Sequence, residues 1–184
     1  MRADARRNRE RLLEAAEKVF AERGTAAATE EVAKAAGVGV GTLFRHFPTK
    51  EALLEAVFRA RMDAAADRME RLLEADDPGA AFREMFLGNV AESSRKSAYI
   101  EALAAAGVRV DVTADATRPR IHATLEALLR RAQEAGAVRT DVGPDDVIAL
   151  LVGAARAAEH ADGTGGGPAA RDRAAEMVLD GLMR

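Results

Sequence analysis

Residues 29–50 read TEEVAKAAGVGVGTLFRHFPTK, and this stretch decides how the N-terminal part of the chain folds. Thr29 is suited to cap a first short helix, because its hydroxyl accepts hydrogen bonds from free backbone N–H groups. Gly37 is expected to end that helix, since glycine adopts the left-handed conformation without steric cost. A second short helix follows and ends before Pro48, which has no N–H to donate. The stretch therefore predicts two short helices joined by a tight turn.

The second short helix has one apolar side and one outward-facing side. Leu43 and Phe47 are four residues apart, so both are expected to pack into the domain. The side chains left facing outward are those of Thr42, Phe44, Arg45 and His46. This arrangement is typical of a helix-turn-helix, in which the second helix lies in the major groove of DNA.

The segment from Thr29 to Val57, with AGVGVGTLFRHFPTKEALLEAV at its centre, resembles the tetracycline-repressor (TetR) family of bacterial transcription regulators. The resemblance covers the N-terminal third of the chain. It implies a DNA-binding domain of three helices over residues 1–49 and a larger effector-binding and dimerisation domain over residues 50–184. The content of alanine, leucine, glutamate and arginine, with 4% aromatic residues, also predicts an all-α fold. Periodicity and turn residues predict about nine helices.

The charge is unevenly distributed along the chain. The formal net charge is −3, but residues 1–61 hold twelve Lys or Arg against nine Asp or Glu, whereas the remainder holds fifteen against twenty-one. A basic end on an acidic body suits a protein that binds phosphates at one end. The first predicted helix starts near Arg6 and brings several arginines to this basic end.

The DNA contacts implied by the resemblance can be assigned to residue types. Arg45 is the predicted base-reading residue, because its planar fork can bind guanine O6 and N7 together. Val40 and Gly41 are expected to approach thymine methyl groups or the DNA backbone closely. Lys50 is expected to bind a phosphate at the start of a longer helix capped by Thr49, although a solvated lysine is the alternative. Further predicted phosphate contacts are Thr29, Thr42 and His46.

Two residues depart from the family pattern. Phe44 stands where the family usually has tyrosine, so the hydroxyl that would bond a phosphate is missing. Gly39 stands where a helix-capping serine is common. Because the outward-facing side has few polar groups, part of the sequence preference is expected to come from DNA shape.

The last two predicted helices, from Pro144 to about Ala161 and from Ala169 to Met183, are expected to pair with their counterparts in a homodimer. The resemblance implies a four-helix bundle there. Its predicted faces are Val147, Leu150, Leu151, Ala154, Ala155 and Ala158 on one helix, and Met177, Val178, Leu182 and Met183 on the other. Completion of an intramolecular core is the alternative, and both can hold. A flexible linker is expected at residues 163–167.

The resemblance also implies an effector pocket among the central helices, with a helix boundary at residues 93–97 and a helix start at Thr113 or Asp115. The predicted lining residues are Phe82, Met85, Phe86, Tyr99, Leu103, Arg118, Ile121, His122 and Leu125. Methionine and phenylalanine at helical spacing also fit an ordinary core, which is the alternative.

The predicted function is that of a cytoplasmic, ligand-responsive transcription regulator, a repressor that binds a pseudo-palindromic DNA operator as a dimer. The alternative is an architectural or constitutive DNA-binding protein without an effector. An enzyme is not predicted, because no nucleophile is paired with a base and no strand precedes the GVGVGT stretch. The chain has no cysteine, and neither a metal site, a cofactor nor a membrane span is expected.

Overall fold

A computed structural model describes the backbone of residues 2–108 and 117–184. Within these ranges the chain forms eight α-helices and one short π-helical turn, so the all-α prediction is confirmed. The α-helices are α1 (Arg2–Arg23), α2 (Thr29–Ala35), α3 (Val40–His46), α4 (Lys50–Leu72), α5 (Pro78–Ala105), α6 (Thr117–Glu134), α7 (Pro144–Ala161) and α8 (Gly167–Asp180).

The chain divides into two compact units that do not follow the chain order. One comprises Met1–Asp63 with Arg95–Asp111, and the other comprises Ala64–Ser94 with Val112–Arg184. Both α4 and α5 therefore continue from one unit into the other. The predicted division into residues 1–49 and 50–184 concerns the functions of the two parts and stays a prediction.

The core of the first unit is built around the predicted apolar side of α1. Leu12, Ala16, Val19 and Phe20 are buried there, as the helical spacing predicts. The Phe20 ring meets the Tyr99 ring edge to face, with centroids 6.2 Å apart. Such edge-to-face pairs are a favoured geometry of aromatic rings. This core holds α2 and α3 in place.

The second unit has a core of its own, to which α4, α5, α6, α7 and α8 contribute. Its fully buried large side chains include Phe82, Phe86, Met85, Leu128, Leu179 and Leu182. Two arginines of α6 join it to the end of α4. Arg120 pairs with Asp67 and Glu70, and the Arg131 guanidinium donates to the carbonyls that follow α4. The bonds from Arg131 give partners to carbonyls just beyond the end of α4, where no further helical turn follows to supply them.

The predicted helix boundary at residues 93–97 is wrong, because α5 runs unbroken through this stretch from Pro78 to Ala105. Serines favour helix ends when their hydroxyls compete for backbone groups. Here the Ser93 hydroxyl donates to the Val90 carbonyl at 2.8 Å and so is satisfied inside the helix. The predicted helix start at Thr113 or Asp115 lies outside the described residues.

The segment predicted as a linker at residues 163–167 does connect two helices, and its flexibility stays a prediction. It joins α7 to α8 through a π-helical turn, Asp162–Gly166, with a kink at Gly165, where φ is +87°. At the other end of α8, the helix ends at Asp180 instead of continuing to Met183. Met183 forms an antiparallel bridge with Val138, which extends the packing of the second unit.

Candidate nucleic-acid interface

The turn between α2 and α3 is fixed by backbone geometry. Gly37 has a φ of +68°, and the Val38 N–H donates to the Ala33 carbonyl at 3.0 Å. The Arg11 guanidinium of α1 donates to the Ala36 carbonyl at 2.9 Å. The end of α2 is therefore satisfied from two sides, and the predicted role of Gly37 is confirmed.

Replacing Gly37 with alanine is expected to lower the free energy of unfolding by about 1–2 kcal/mol, because the left-handed conformation is unfavourable for residues with a Cβ. The added Cβ also meets Arg11 Nη2 at 3.4 Å. Gly41→Ala is the matched control, since a Cβ there meets no atom within 4 Å. Denaturant unfolding measures the change in the free energy of unfolding of both variants, provided that its slope against denaturant concentration stays the same. Equal losses in the two variants would show that the φ angle of Gly37 does not decide its effect.

The predicted capping role of Thr29 is wrong. The N-cap of α2 is Ala28, which provides no side-chain hydrogen bond, and Thr29 is already the first helical residue. Its hydroxyl lies 3.3 Å from the Glu30 carboxylate, to which it donates, and the residue is 8% exposed. Glu30 and Glu31 complement the positive end of the helix dipole. A DNA contact by Thr29 stays a prediction.

Helix α3 has the two sides that its sequence predicts. Leu43 and Phe47 are buried in the core of the first unit. The Arg9 guanidinium of α1 lies over the Phe47 ring, 5.1 Å from its centroid, and holds the end of α3 by a cation–π contact. The opposite side of α3 faces away from this core.

The outward side of α3 carries the residues predicted to contact DNA. Gly41, Phe44 and Arg45 are exposed, whereas Val40, Thr42 and His46 are half-buried. In the described part of the chain, the Arg45 guanidinium makes no ion pair or hydrogen bond. Because this guanidinium has no such partner, its planar set of N–H donors is available to bind the edge of a base. The DNA contacts of these six residues of α3 stay predictions.

Lys50 has an intramolecular partner that its sequence does not reveal. Its Nζ donates to the Ala26 carbonyl in the turn between α1 and α2, at 2.9 Å. The cap predicted for Thr49 is confirmed, because Thr49 Oγ1 accepts from the Ala52 N–H at 3.1 Å. The pKa of Glu51 is lowered, first by its own backbone N–H, then by the Thr49 hydroxyl and by the charge of Lys50. The start of α4 is thus already well supplied with polar partners.

Lys50→Ala is expected to weaken binding to all duplexes alike, because a phosphate contact carries no sequence information. Loss of one phosphate contact in each half-site is expected to reduce the slope of log affinity against log salt concentration by about 2 for a dimer. The measurement is binding at several salt concentrations to a panel of related duplexes. An unchanged slope with reduced thermal stability would assign Lys50 only to the bond with Ala26.

The residues predicted to line an effector pocket are distributed over both units. Phe82, Met85, Phe86 and Leu125 are buried in the core of the second unit, with Ile121 packed against it. Tyr99 and Leu103 belong to the core of the first unit. Arg118 and His122 are exposed on α6, and His122 Nε2 lies 3.9 Å from Asp145 Oδ1. Their common role in effector binding stays a prediction.

The apolar surface of α7 and α8 differs in part from the predicted one. Val147, Ala154 and Ala158 are buried within the second unit, as is Leu182 beyond α8. The exposed large apolar side chains of these two helices are Ile148, Leu150, Val152 and Met177. Sequence reasoning missed Ile148 and Val152, although their spacing of four residues places them on one side of α7.

The described residues, 2–108 and 117–184, also bear on metal binding and on membrane insertion. No group of three or more histidine, aspartate or glutamate side chains is placed to hold a metal ion there. Among the helices in the same ranges, none combines the length and the apolar character needed to cross a bilayer.

Two family profiles match the chain, one on each part. The profile described as bacterial regulatory proteins of the tetR family matches residues 12–57. The profile described as the C-terminal domain of SbtR-like transcriptional regulators matches residues 77–184, more than half of the chain. The first match covers α2, the turn and α3.

Individual proteins agree with these profiles. An HTH-type transcriptional regulator of Staphylococcus aureus is 42% identical over 64 residues, which are 34% of this chain and 35% of that regulator, so the match spans about a third of its length. A TetR transcription regulatory protein from Mycobacterium vanbaalenii is 37% identical, with a TM-score of 0.77, over 100% of this chain and 99% of that one. A TetR transcriptional regulator from Streptomyces coelicolor is 35% identical, with a TM-score of 0.71, over 95% and 98%. With α3 presenting Arg45 and Phe44 from a helix-turn-helix, this chain belongs to the TetR family of DNA-binding bacterial transcription regulators.

Proposed function

We propose that the chain is a repressor that binds a pseudo-palindromic operator as a homodimer and leaves it when a small molecule binds. The observation that carries operator binding is the outward side of α3, where Arg45 is exposed and without an intramolecular partner in the described ranges. Buried Leu43 and Phe47 fix the helix beneath it. A fixed helix can present a guanidinium to guanine in a defined register.

Dimerisation through α7 and α8 is supported by their exposed apolar side chains. Val152 is 60% exposed and Met177 is 76% exposed, and the two helices pack against each other. Ile148 and Val152 are four residues apart and so share one side of α7, and an exposed apolar side of a helix is suited to an interaction site. A symmetric dimer would present two copies of α3, as an inverted repeat requires.

Release by an effector is supported by the continuity of two helices. Residues of α4 and of α5 belong to both compact units, so a ligand that binds the second unit can act on the first through these two helices. The ligand would favour a separation of the two α3 helices that no longer fits major grooves about 34 Å apart. A regulator of this kind acts on the chromosome, so we expect it in the cytoplasm.

A second candidate is a DNA-binding protein without sequence preference or effector. The observation that favours it is the small number of polar groups on the outward side of α3, where Gly41 and Phe44 are exposed beside Arg45. Binding of this kind would depend steeply on salt and would not distinguish between sequences.

The deciding experiment is a selection of bound sequences from random duplex DNA with the purified protein. Enrichment of an inverted repeat is the expected result and supports a dimeric, sequence-reading regulator. Binding at low salt without enrichment would favour the second candidate. No binding at any salt concentration would contradict both proposals. Small molecules that release the enriched duplex and raise thermal stability would then support the effector step.

A further inference from the structure

Among the described residues of the first unit, Phe44 is the large apolar side chain that is exposed. Its exposed fraction is 39%, whereas the neighbouring Leu43 and Phe47 are buried. The other large exposed apolar side chains of the described residues lie on α7 and α8, in the second unit. An aromatic ring in this position gains free energy when an apolar group covers it.

The chemistry of the ring limits what can cover it. Phe44 has no hydroxyl, so it cannot donate a hydrogen bond to a phosphate, and the edges of the major groove are otherwise lined by hydrogen-bonding groups. The C5-methyl group of thymine is the apolar group that the major groove presents, and phenylalanine is among the side chains that contact it. The position of Phe44 beside Arg45 therefore favours a base contact over a backbone contact.

Helix geometry places Phe44 with two other exposed residues. Gly41, Phe44 and Arg45 are three and four residues apart, so they share one side of α3. A Cβ at Gly41 would meet no atom within 4 Å, which leaves open space beside the ring. The Cα atoms of Phe44 and Arg45 are about 3.8 Å apart, close to the spacing of about 3.4 Å between stacked base pairs. Their contacts are thus expected within about two base steps.

We propose that Phe44 is a specificity-determining residue that reads a thymine methyl group within about two base steps of the guanine bound by Arg45. This inference rests on the proposed operator binding and adds to it the composition of each half-site. It assigns to the position a base-reading role in place of the phosphate contact that a tyrosine would make.

The test uses the duplex enriched by selection and replaces each thymine of the half-site by deoxyuridine, one position at a time and in both halves. This change removes the methyl group and keeps the base pairing. At one thymine of each half-site, loss of the methyl group is expected to lower the affinity about fourfold, the effect of one buried methyl group. Because the dimer binds two half-sites, its affinity is expected to fall about fifteenfold. The replacement at other thymines is expected to have little effect.

Phe44→Ala provides the control for this measurement. The variant is expected to lose affinity for the thymine duplex and to show no difference between thymine and deoxyuridine, as a double-mutant cycle requires. Its thermal stability and guanine preference are expected to remain unchanged, because the ring is exposed. Phe44→Tyr is expected to weaken the discrimination, because its hydroxyl can bond a phosphate in place of the contact with the base.

Three results would overturn the proposed role of Phe44 while leaving operator binding itself intact. One is equal affinity of the wild-type protein for thymine and deoxyuridine at every position. Another is discrimination that persists in Phe44→Ala, and a third is an enriched half-site without thymine near the guanine. A selection that enriches no sequence would overturn the proposed function itself, and the reading role of Phe44 with it.

Discussion

Arg45→Ala is expected to remove guanine preference at one position of each operator half-site. A bidentate contact from arginine to guanine contributes about 1–3 kcal/mol of discrimination, so two half-sites together correspond to a loss of roughly 30-fold to 10⁴-fold in affinity for the enriched duplex. Affinity for unrelated duplexes is expected to change far less. Because Arg45 is exposed and lacks an ion pair or hydrogen bond within the described residues, the variant should fold as stably as the parent.

The measurement is binding to a panel in which each base pair of the half-site is changed in turn. Arg59→Ala is the matched control, since it removes the same charge from an exposed position of α4 where Arg59 pairs with Glu55 at 2.8 Å. The control is expected to keep the base preference of the parent. If Arg45→Ala and Lys50→Ala both lowered affinity uniformly across the panel, the assignment of base reading to Arg45 would be wrong.

The sequence predicts those parts of the fold that depend on local chemistry. The start of α7 follows from Pro144 in its first turn, and the predicted range agrees with the observed one, Pro144–Ala161. The turn before α3 follows from Gly37, since a positive φ there needs a residue without a Cβ. The burial of Leu43 and Phe47 follows from their spacing on a helix with one apolar side.

Residues that depend on distant partners could not be predicted in the same way. Lys50 bonds the carbonyl of Ala26, 24 positions earlier, and neither residue carries a local pattern that indicates this pair. The cap predicted at Thr29 is wrong by one position, because Ala28 is the N-cap although alanine has no side-chain oxygen to accept a hydrogen bond there. For α5, the serines suggested a boundary, but tertiary packing and the bond from Ser93 to Val90 keep the helix continuous.

Which side chains of α7 are exposed could be predicted only in part, because this also depends on the helices packed against it. Its apolar residues are distributed around much of the helix, so periodicity alone does not say which side faces the same chain. Val147, Ala154 and Ala158 are buried by α8 and the rest of their unit, which leaves Ile148 and Val152 on another side. The distinction becomes visible only when the neighbouring helices are in place.

Val152→Glu is expected to convert the proposed dimer into a monomer. The Val152 side chain is 60% exposed in a single chain, so a carboxylate there meets water and should leave the fold of the chain intact. At a dimer interface, the same carboxylate would lose its hydration without gaining a partner, at a cost of several kcal/mol in each subunit. Sedimentation or light scattering distinguishes the two states, since one chain has a mass of 19.5 kDa.

The monomeric Val152→Glu variant is also expected to bind the operator much more weakly than the dimer. Linked half-sites raise overall affinity by about 10²-fold to 10⁴-fold over a single one, so a monomer should bind the inverted repeat at least about 100-fold more weakly. Ala123→Glu is the control, because it places the same carboxylate on an exposed position of α6 in the same unit. The control should remain dimeric and bind normally. If Val152→Glu remained dimeric as well, the subunits would have to meet through a surface other than this side of α7.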